Sequence, residues 1–358
     1  MKEKNKMPKF AIKPAFSKNN LGIIFSADQN YVPYLAVSIQ SIFDHADDRY
    51  NYDILVFDDG ITDYQKTMLA GMAKANCSIR YINVRDLLKD FDTTLFQARG
   101  IWSVATFYRL FIPEIMPDYQ KVLYLDCDIL VRDSLVDIFN LDLGNSQIAC
   151  VYDCIRYMKQ KNRIKDCEQT LGLKDYRLYF NAGVIMFNLQ KIDGREFKER
   201  FLAILTAYTL PFLDQDILNI IFEGKCYFLP PEWNYQYHIL LGNIDLKEIP
   251  ELNTADKNPK IIHYTACKPW SHPELPHVAE WWSIARRLAF YEEIIFKNTK
   301  ISSQLLCNLI KYKRLAVKYR LYKVLRNITF GETCRRISQT CSKMQNQVKA
   351  VRNILKQK

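Results

Sequence analysis

No apolar run in this sequence reaches the roughly 20 residues that a membrane-spanning helix needs. The N-terminal stretch MKEKNKMPKFAIKPAF has basic residues but lacks the apolar core of a secretory signal, so the chain is expected to stay in the cytoplasm. Glycine and proline are sparse, 11 and 13 in 358 residues, while 49% of the chain is hydrophobic. That excludes fibrous and disordered classes and points to an ordered core. The ten cysteines include no C-x-x-C pair and read as reduced thiols, which argues against a zinc module or a disulfide framework. Acidic residues are nearly missing from the C-terminal part: from Lys297 onward, 16 Lys or Arg face the single Glu332. The tail's net +15 exceeds the chain's +11 and leaves residues 1–296 at −4. A nucleic-acid protein more often carries basic charge on the folded face that docks on phosphates, so nucleic acid is not the expected partner and an anionic membrane surface is.

What is present is alternation. The apolar run Leu21–Ala27 precedes a helical pattern over 32–43, Tyr52–Phe57 precedes another over 62–75, and 78–84, 104–112 and 121–125 continue the series. The fold class expected is α/β, a mostly parallel central sheet flanked by helices. The organisation expected is an N-terminal extension (1–20), a body (21–296) and a basic helical tail (297–358). Within the tail, Leu305, Leu309, Tyr312, Leu315, Tyr319 and Tyr322 recur at helical spacing among Lys and Arg. Such a helix suits a membrane interface, with packing on the body or on a second subunit as the alternative. A second basic helical stretch is expected over 333–356.

In open α/β sheets ligands collect at the carboxyl ends of strands, which draws attention to polar residues just after apolar runs. Asp28, Gln29, Asn30 and Tyr31 follow the first strand, and Asp126, Cys127 and Asp128 follow KVLYL. An Asp-x-Asp pair is weak evidence alone, since about one is expected by chance in a chain this long. Here there are three, at 90/92, 126/128 and 214/216. Asp90 and Asp92 sit in a polar segment and receive no role. Asp126 and Asp128 lie between apolar runs, where buried carboxylates need a cation or strong donors. In an extended segment the two side chains share one side and reach one hard cation. Pairing with Arg132 or Lys121 is the competing reading.

His263, in IIHYTACKPW, again ends an apolar run and is followed by Lys268. An imidazole with carboxylates suits Mn²⁺ better than Mg²⁺, the alternative ion. A cation and a lysine together would stabilise a departing diphosphate.

Taken in order, FSADQNY, ATFYRLFIPE, KVLYLDCDILV, YFNAGVIMFNL, DQDILN and IIHYTACKPW resemble the signature of glycosyltransferase family 8, over roughly residues 21–285. The resemblance implies a GT-A fold, a nucleotide-sugar donor such as UDP-glucose or UDP-galactose, Mn²⁺, and transfer to a saccharide acceptor with retention of anomeric configuration. It implies that Ala27, Asp28, Asn30 and Tyr31 hold the uridine, Tyr31 by stacking. Asp126, Asp128 and His263 then match the metal ligands, with Cys127 against the nucleoside. Arg109, Asn181, Ala182, Gly183, Asp214 and Gln215 match positions around the transferred sugar, and Lys268 the diphosphate. The last motif departs from the family's H-Y-x-G-x-x-K-P-W: it is one residue shorter, and Ala266 replaces the glycine.

Retention does not call for a dedicated carboxylate base, because a single far-side attack would invert the anomeric carbon. Either Asp216 or Gln215 forms a covalent intermediate, or the acceptor hydroxyl attacks on the leaving-group face. The second route is favoured, with Asp214, Gln215 and Asp216 as candidate catalytic residues. Asp153, Cys154 and Ile155 after QIACVY are acceptor-side candidates. An inverting GT-A transferase, a sugar nucleotidyltransferase and an inert nucleotide-sugar-binding relative are the rival readings. A lipid-linked acceptor at the inner membrane face fits the basic tail.

Overall fold

The computed structural model describes residues 11–83, 96, 104–158, 161–208, 210–236, 249–265, 267–328 and 338–349. Asp90, Asp92 and Ala266 lie outside them. The chain divides into two compact units, 1–291 and 292–358.

The first unit opens with β1 (Asn20–Asp28), α1 (Val32–Asp44), β2 (Asn51–Asp59), α2 (Asp63–Ala70) and β3 (Cys77–Asn83). Helix α1 has Pro33 in its first turn, where a fixed φ is suited, and α2 starts on a Thr62/Gln65 capping box. Residues 104–112, expected as one helix, form a 3₁₀ segment (Val104–Phe111) running into a short α-helix (Ile112–Ile115). Next come β4 (Lys121–Leu125), β5 (Ile129–Val131), β6 (Ile148–Tyr152) and β7 (Phe180–Asn188). They are followed by α3 (Gly194–Ala207), α4 (Leu213–Phe222), β8 (Cys226–Phe228), β9 (Tyr235–Gln236), β10 (Ile261–His263) and α5 (Val278–Ala285).

Seven strands form the main sheet in the order β3-β2-β1-β4-β7-β6-β8. Ile23–Phe25, Ile54–Phe57 and Val122–Leu125 are buried, as strands covered on both faces must be. The sheet is mixed: β7 runs antiparallel to both β4 and β6. β7 thus enters the sheet from the edge at which β4 and β6 end. This reversal positions the site. The first residues of β7, Phe180–Gly183, lie at the edge where β4 ends, and the Asp126 amide donates to the Gly183 carbonyl (2.8 Å). A small second sheet, β5-β10-β9, stands beside that edge, with His263 opposite Ile129 on one side and Gln236 on the other.

The second unit contains α6 (Tyr291–Ile328), 38 residues long, and a further helical stretch described over 338–349. Val317, Leu321 and Val324 are exposed along α6 at spacings of four and three, forming one apolar stripe among Lys and Arg. Among the described residues no helix is long and apolar enough to cross a membrane.

Candidate active site

The carboxyl edge of the sheet opens into a cleft of about 590 Å³. Its lining includes Ala27, Asp28 and Tyr31 from the end of β1, Asp126–Asp128, Asp153, Asn181, Gln215, His263 and Lys268. A smaller recess of about 100 Å³ continues it, walled by Thr106, Arg109, Asp126, Ala182, Gly183, Asp214 and Gln215. Asn30 does not line the cleft. Its amide and that of Tyr31 donate to Asp28 Oδ1 (2.8 and 3.1 Å), so Asp28 shapes the loop on which Tyr31 rides. Trp270 stacks on Tyr34 (centroids 3.7 Å apart), and Tyr31 meets both edge-on, at 5.8 Å from Tyr34 and 6.3 Å from Trp270.

Asp126, Asp128 and His263 converge. Each offers one ligand atom, and the three atoms lie within 4.8 Å of one another. His263 Nε2 is 3.3 Å from Asp128 Oδ1 and 3.6 Å from Asp126 Oδ2. The segment is a turn between β4 and β5 rather than the extended stretch expected, so the turn and not strand alternation brings the carboxylates together. Arg132 and Lys121, the competing partners, are engaged elsewhere: Arg132 with Glu280 (2.8 Å), and Lys121 with the Phe139 (3.1 Å) and Leu141 carbonyls.

Lys268 donates instead to Asp128 Oδ2 and to the Tyr264 carbonyl (2.6 Å). Burial works against the Asp128 charge, but Lys268 and His263 outweigh it and hold the carboxyl below its ordinary range. Asp128 Oδ1 remains buried without a hydrogen-bond partner. A buried carboxylate oxygen, a second carboxylate and an imidazole nitrogen aimed at one spot fit a divalent cation. Cys127, between the two carboxylates, is held protonated by burial and by their charge, its Sγ 3.2 Å from the Ser26 carbonyl.

Arg109 is the cation that the sequence placed near the sugar without its partners. Its Nη2 is 3.0 Å from Asp126 Oδ1, its Nε 2.9 Å from Asp214 Oδ2, and its Nη1 donates to the Ala182 carbonyl at 2.5 Å. Burial alone would lower its pKa, but Asp126 and Asp214 more than offset this and raise it. Asp214 is itself pushed up to about 6 by burial, against the pull of Arg109.

The D-Q-D segment divides three ways. Asp214 faces Arg109 and accepts from Thr106 Oγ1 (3.1 Å). Gln215 Nε2 donates to Asp153 Oδ2 (3.3 Å), while its Oε1 accepts from the Ala182 amide (2.9 Å). Asp216 lines neither the cleft nor the recess. It is fully buried and accepts from Arg163 (2.6 Å), Tyr179 Oη (2.6 Å) and the Phe212 amide (2.7 Å). Leu213 sits at φ 49° at the start of α4, a left-handed conformation costing on the order of 1–2 kcal/mol. Asp216 clamps this turn from below, so that Asp214 and Gln215 face the cleft.

Gly183 has a specific reason to be glycine. A Cβ there would collide with the His263 ring and lie 2.8 Å from Asp126 Oδ2. Asn234, Arg163, Thr106 and Gln236 were not singled out in the sequence. Thr106 lies within the ATFYRLFIPE motif but received no role there. Asn234, Arg163 and Gln236 belong to no motif, and only packing brings them to the site, Asn234 and Gln236 from the turn before β9 and from β9, and Arg163 from the connection after β6.

The profile of glycosyl transferase family 8 matches residues 22–273. The chain belongs to this family. This family 8 protein is 32% identical over 262 residues to a putative glycosyltransferase of Haemophilus influenzae, spanning 72% of this chain and 75% of that one. It is 29% identical over 280 residues to the lipopolysaccharide 1,2-glucosyltransferase of Escherichia coli K12, spanning 74% of this chain and 77% of that one. Among solved structures, it resembles the galactosyltransferase LgtC in complex with donor and acceptor sugar analogues. The TM-score is 0.62 and the identity 27%, over 75% of this chain and 96% of LgtC. The sheet and its flanking helices are thus a GT-A fold, and the protein is a glycosyltransferase.

Proposed function

We propose that this enzyme transfers glucose or galactose from a UDP-sugar to a saccharide acceptor with retention of configuration, using Mn²⁺ held by Asp126, Asp128 and His263. The observation that carries this reading is the convergence of those three ligand atoms at the mouth of the recess formed by Arg109, Gly183, Asp214 and Gln215. A cation bound there would supply positive charge to the departing diphosphate. Tyr31, held edge-on by Tyr34 and Trp270, offers a ring face on the cleft wall for the uracil base. Lys268 brings a second positive charge to the diphosphate. Arg109 holds Asp126, Asp214 and the Ala182 carbonyl in register, while Gln215 and Asp153 border the sugar.

The placement of Asp216 favours same-face attack over a covalent intermediate. A carboxylate engaged by three donors and walled off from the cleft is a poor nucleophile, and so is the Gln215 amide. The acceptor oxygen bonds to the anomeric carbon as the bond to the phosphate oxygen breaks, and the hydroxyl proton passes to the departing phosphate. The relatives' lipopolysaccharide substrates and the exposed apolar stripe of α6 support a lipid-linked acceptor. In this reading residues 301–358 hold the enzyme on the anionic inner face of the membrane.

The test is hydrolysis of a panel of UDP-sugars with and without Mn²⁺. Metal-dependent turnover of a glucose or galactose donor is expected, falling at least a hundredfold in Asp128→Ala and His263→Ala. Metal-independent turnover, or no binding of any UDP-sugar, would sink the reading.

A further inference from the structure

Behind the metal-site residues runs a relay of amides whose polarity is fixed at both ends. Asn181 Oδ1 accepts from the Gly183 amide (3.0 Å), and Asn181 Nδ2 donates to the Asp153 carboxylate (3.2 Å). A backbone N–H only donates and a carboxylate only accepts, so Asn181 has one orientation. Asn234 Nδ2 donates to the same Asn181 oxygen (2.9 Å), which turns Asn234 Oδ1 toward His263 Nδ1 at 2.9 Å. Nδ1 must therefore carry the hydrogen, and Nε2 is the nitrogen left facing Asp126 and Asp128. Asn234 is 1% exposed and His263 3%, so water does not compete for these contacts. Asn234 ends a 3₁₀ turn (Pro231–Asn234) leading into β9, and β9 pairs with the strand that carries His263.

We propose that Asn234 is a positioning residue for the metal site: through its carbonyl oxygen it fixes the orientation and tautomer of His263, and thereby sets the protein's affinity for Mn²⁺. The inference rests on the metal-dependent reading above. Its physical basis is general, since a ligating imidazole needs an acceptor on its other nitrogen to hold the ring and raise its donor strength. The acceptor here is a neutral amide with its own geometry dictated by Asn181, so the relay that borders the sugar at Asp153 and Gln215 is also the support of the metal ligand.

The experiment is Mn²⁺ binding to the full-length protein, followed by electron paramagnetic resonance without any nucleotide sugar. His263→Ala, Asn234→Ala and Asn234→Asp are compared, with circular dichroism confirming the fold of each. Asn234→Ala removes the acceptor and is expected to weaken Mn²⁺ binding ten- to a hundredfold. Asn234→Asp keeps an acceptor facing Nδ1 but loses the donor to Asn181, and is expected to bind Mn²⁺ at least about threefold more tightly than Asn234→Ala. This rescue is not expected of a residue that merely fills space. If His263→Ala binds Mn²⁺ as wild type does, the metal-site reading fails. If His263→Ala loses Mn²⁺ while Asn234→Ala retains it, only the proposal about Asn234 fails. Equal weakening in Asn234→Ala and Asn234→Asp also overturns it.

Discussion

Asp214 shows how one side chain's surroundings set its chemistry. It is buried beside Arg109, yet burial wins over that attraction, and its carboxyl is pushed up to about 6 from an ordinary 3.8. A raised folded-state pKa means that the folded protein binds more of this proton than the unfolded chain between roughly pH 4 and 6. The stabilisation is therefore fully present below about pH 4 and lost as pH rises through 6. The shift corresponds to on the order of 2–3 kcal/mol at most. Denaturant titrations of the metal-free protein and Asp214→Asn at pH 4.5 and 7.5 check this. The wild type should gain on the variant by at least about 1 kcal/mol at the lower pH, and a pH-independent gap would refute it. The D-Q-D residues thus hold three different environments, which residue type alone does not distinguish.

At the scale of elements, the antiparallel insertion of β7 decides the site. A parallel strand delivers its last residues to the catalytic edge, but β7 delivers its first, so Asn181–Gly183 arrive beside Asp126 and His263. The strand's backbone is in effect the floor of the metal site, and there is no room on it for a side chain. Gly183→Ala is expected to displace the His263 ring, to weaken Mn²⁺ binding at least tenfold, and to cost about 1–3 kcal/mol of stability through overpacking. Calorimetric Mn²⁺ titration and thermal melting of the variant measure both; wild-type affinity would show that the ring moves aside freely. The rule that polar residues after apolar runs mark a site points to Asp28, Tyr31, Asp126, Asp128 and His263 because each ends a strand or lies in the turn that follows one. It is silent on Asn181, which begins one, and on Asn234, which sits in a turn. Asn181 entered through the family motif alone.

For the whole molecule, charge is segregated: residues 1–296 are mildly acidic and the remainder strongly basic. Val317, Leu321 and Val324 give α6 an apolar stripe between Lys and Arg, the composition of an interfacial helix. Removing residues 301–358 is expected to lower binding to vesicles containing anionic lipid at least tenfold, while UDP-sugar hydrolysis stays within about twofold. Vesicle sedimentation at low and moderate salt measures this. Binding that survives the truncation, or that salt does not weaken, would remove the membrane role.

The sequence by itself determined the α/β class, most strand positions and the family, because buried strands need continuous apolar runs and the motifs keep their order. It also pointed to Asp126, Asp128 and His263 at one edge, since each borders or ends such a run. Tertiary structure decided the rest. Which way β7 runs, which cation Asp126 meets, which of Asp214, Gln215 and Asp216 faces the cleft, and which nitrogen His263 turns to its neighbours all depend on contacts between residues far apart in the chain. Arg109 and Asp214, or Asn234 and His263, have no local signal of their pairing; only the packing of the 104–111 3₁₀ segment against α4, and of the 231–234 turn against β10, brings their atoms within hydrogen-bond distance.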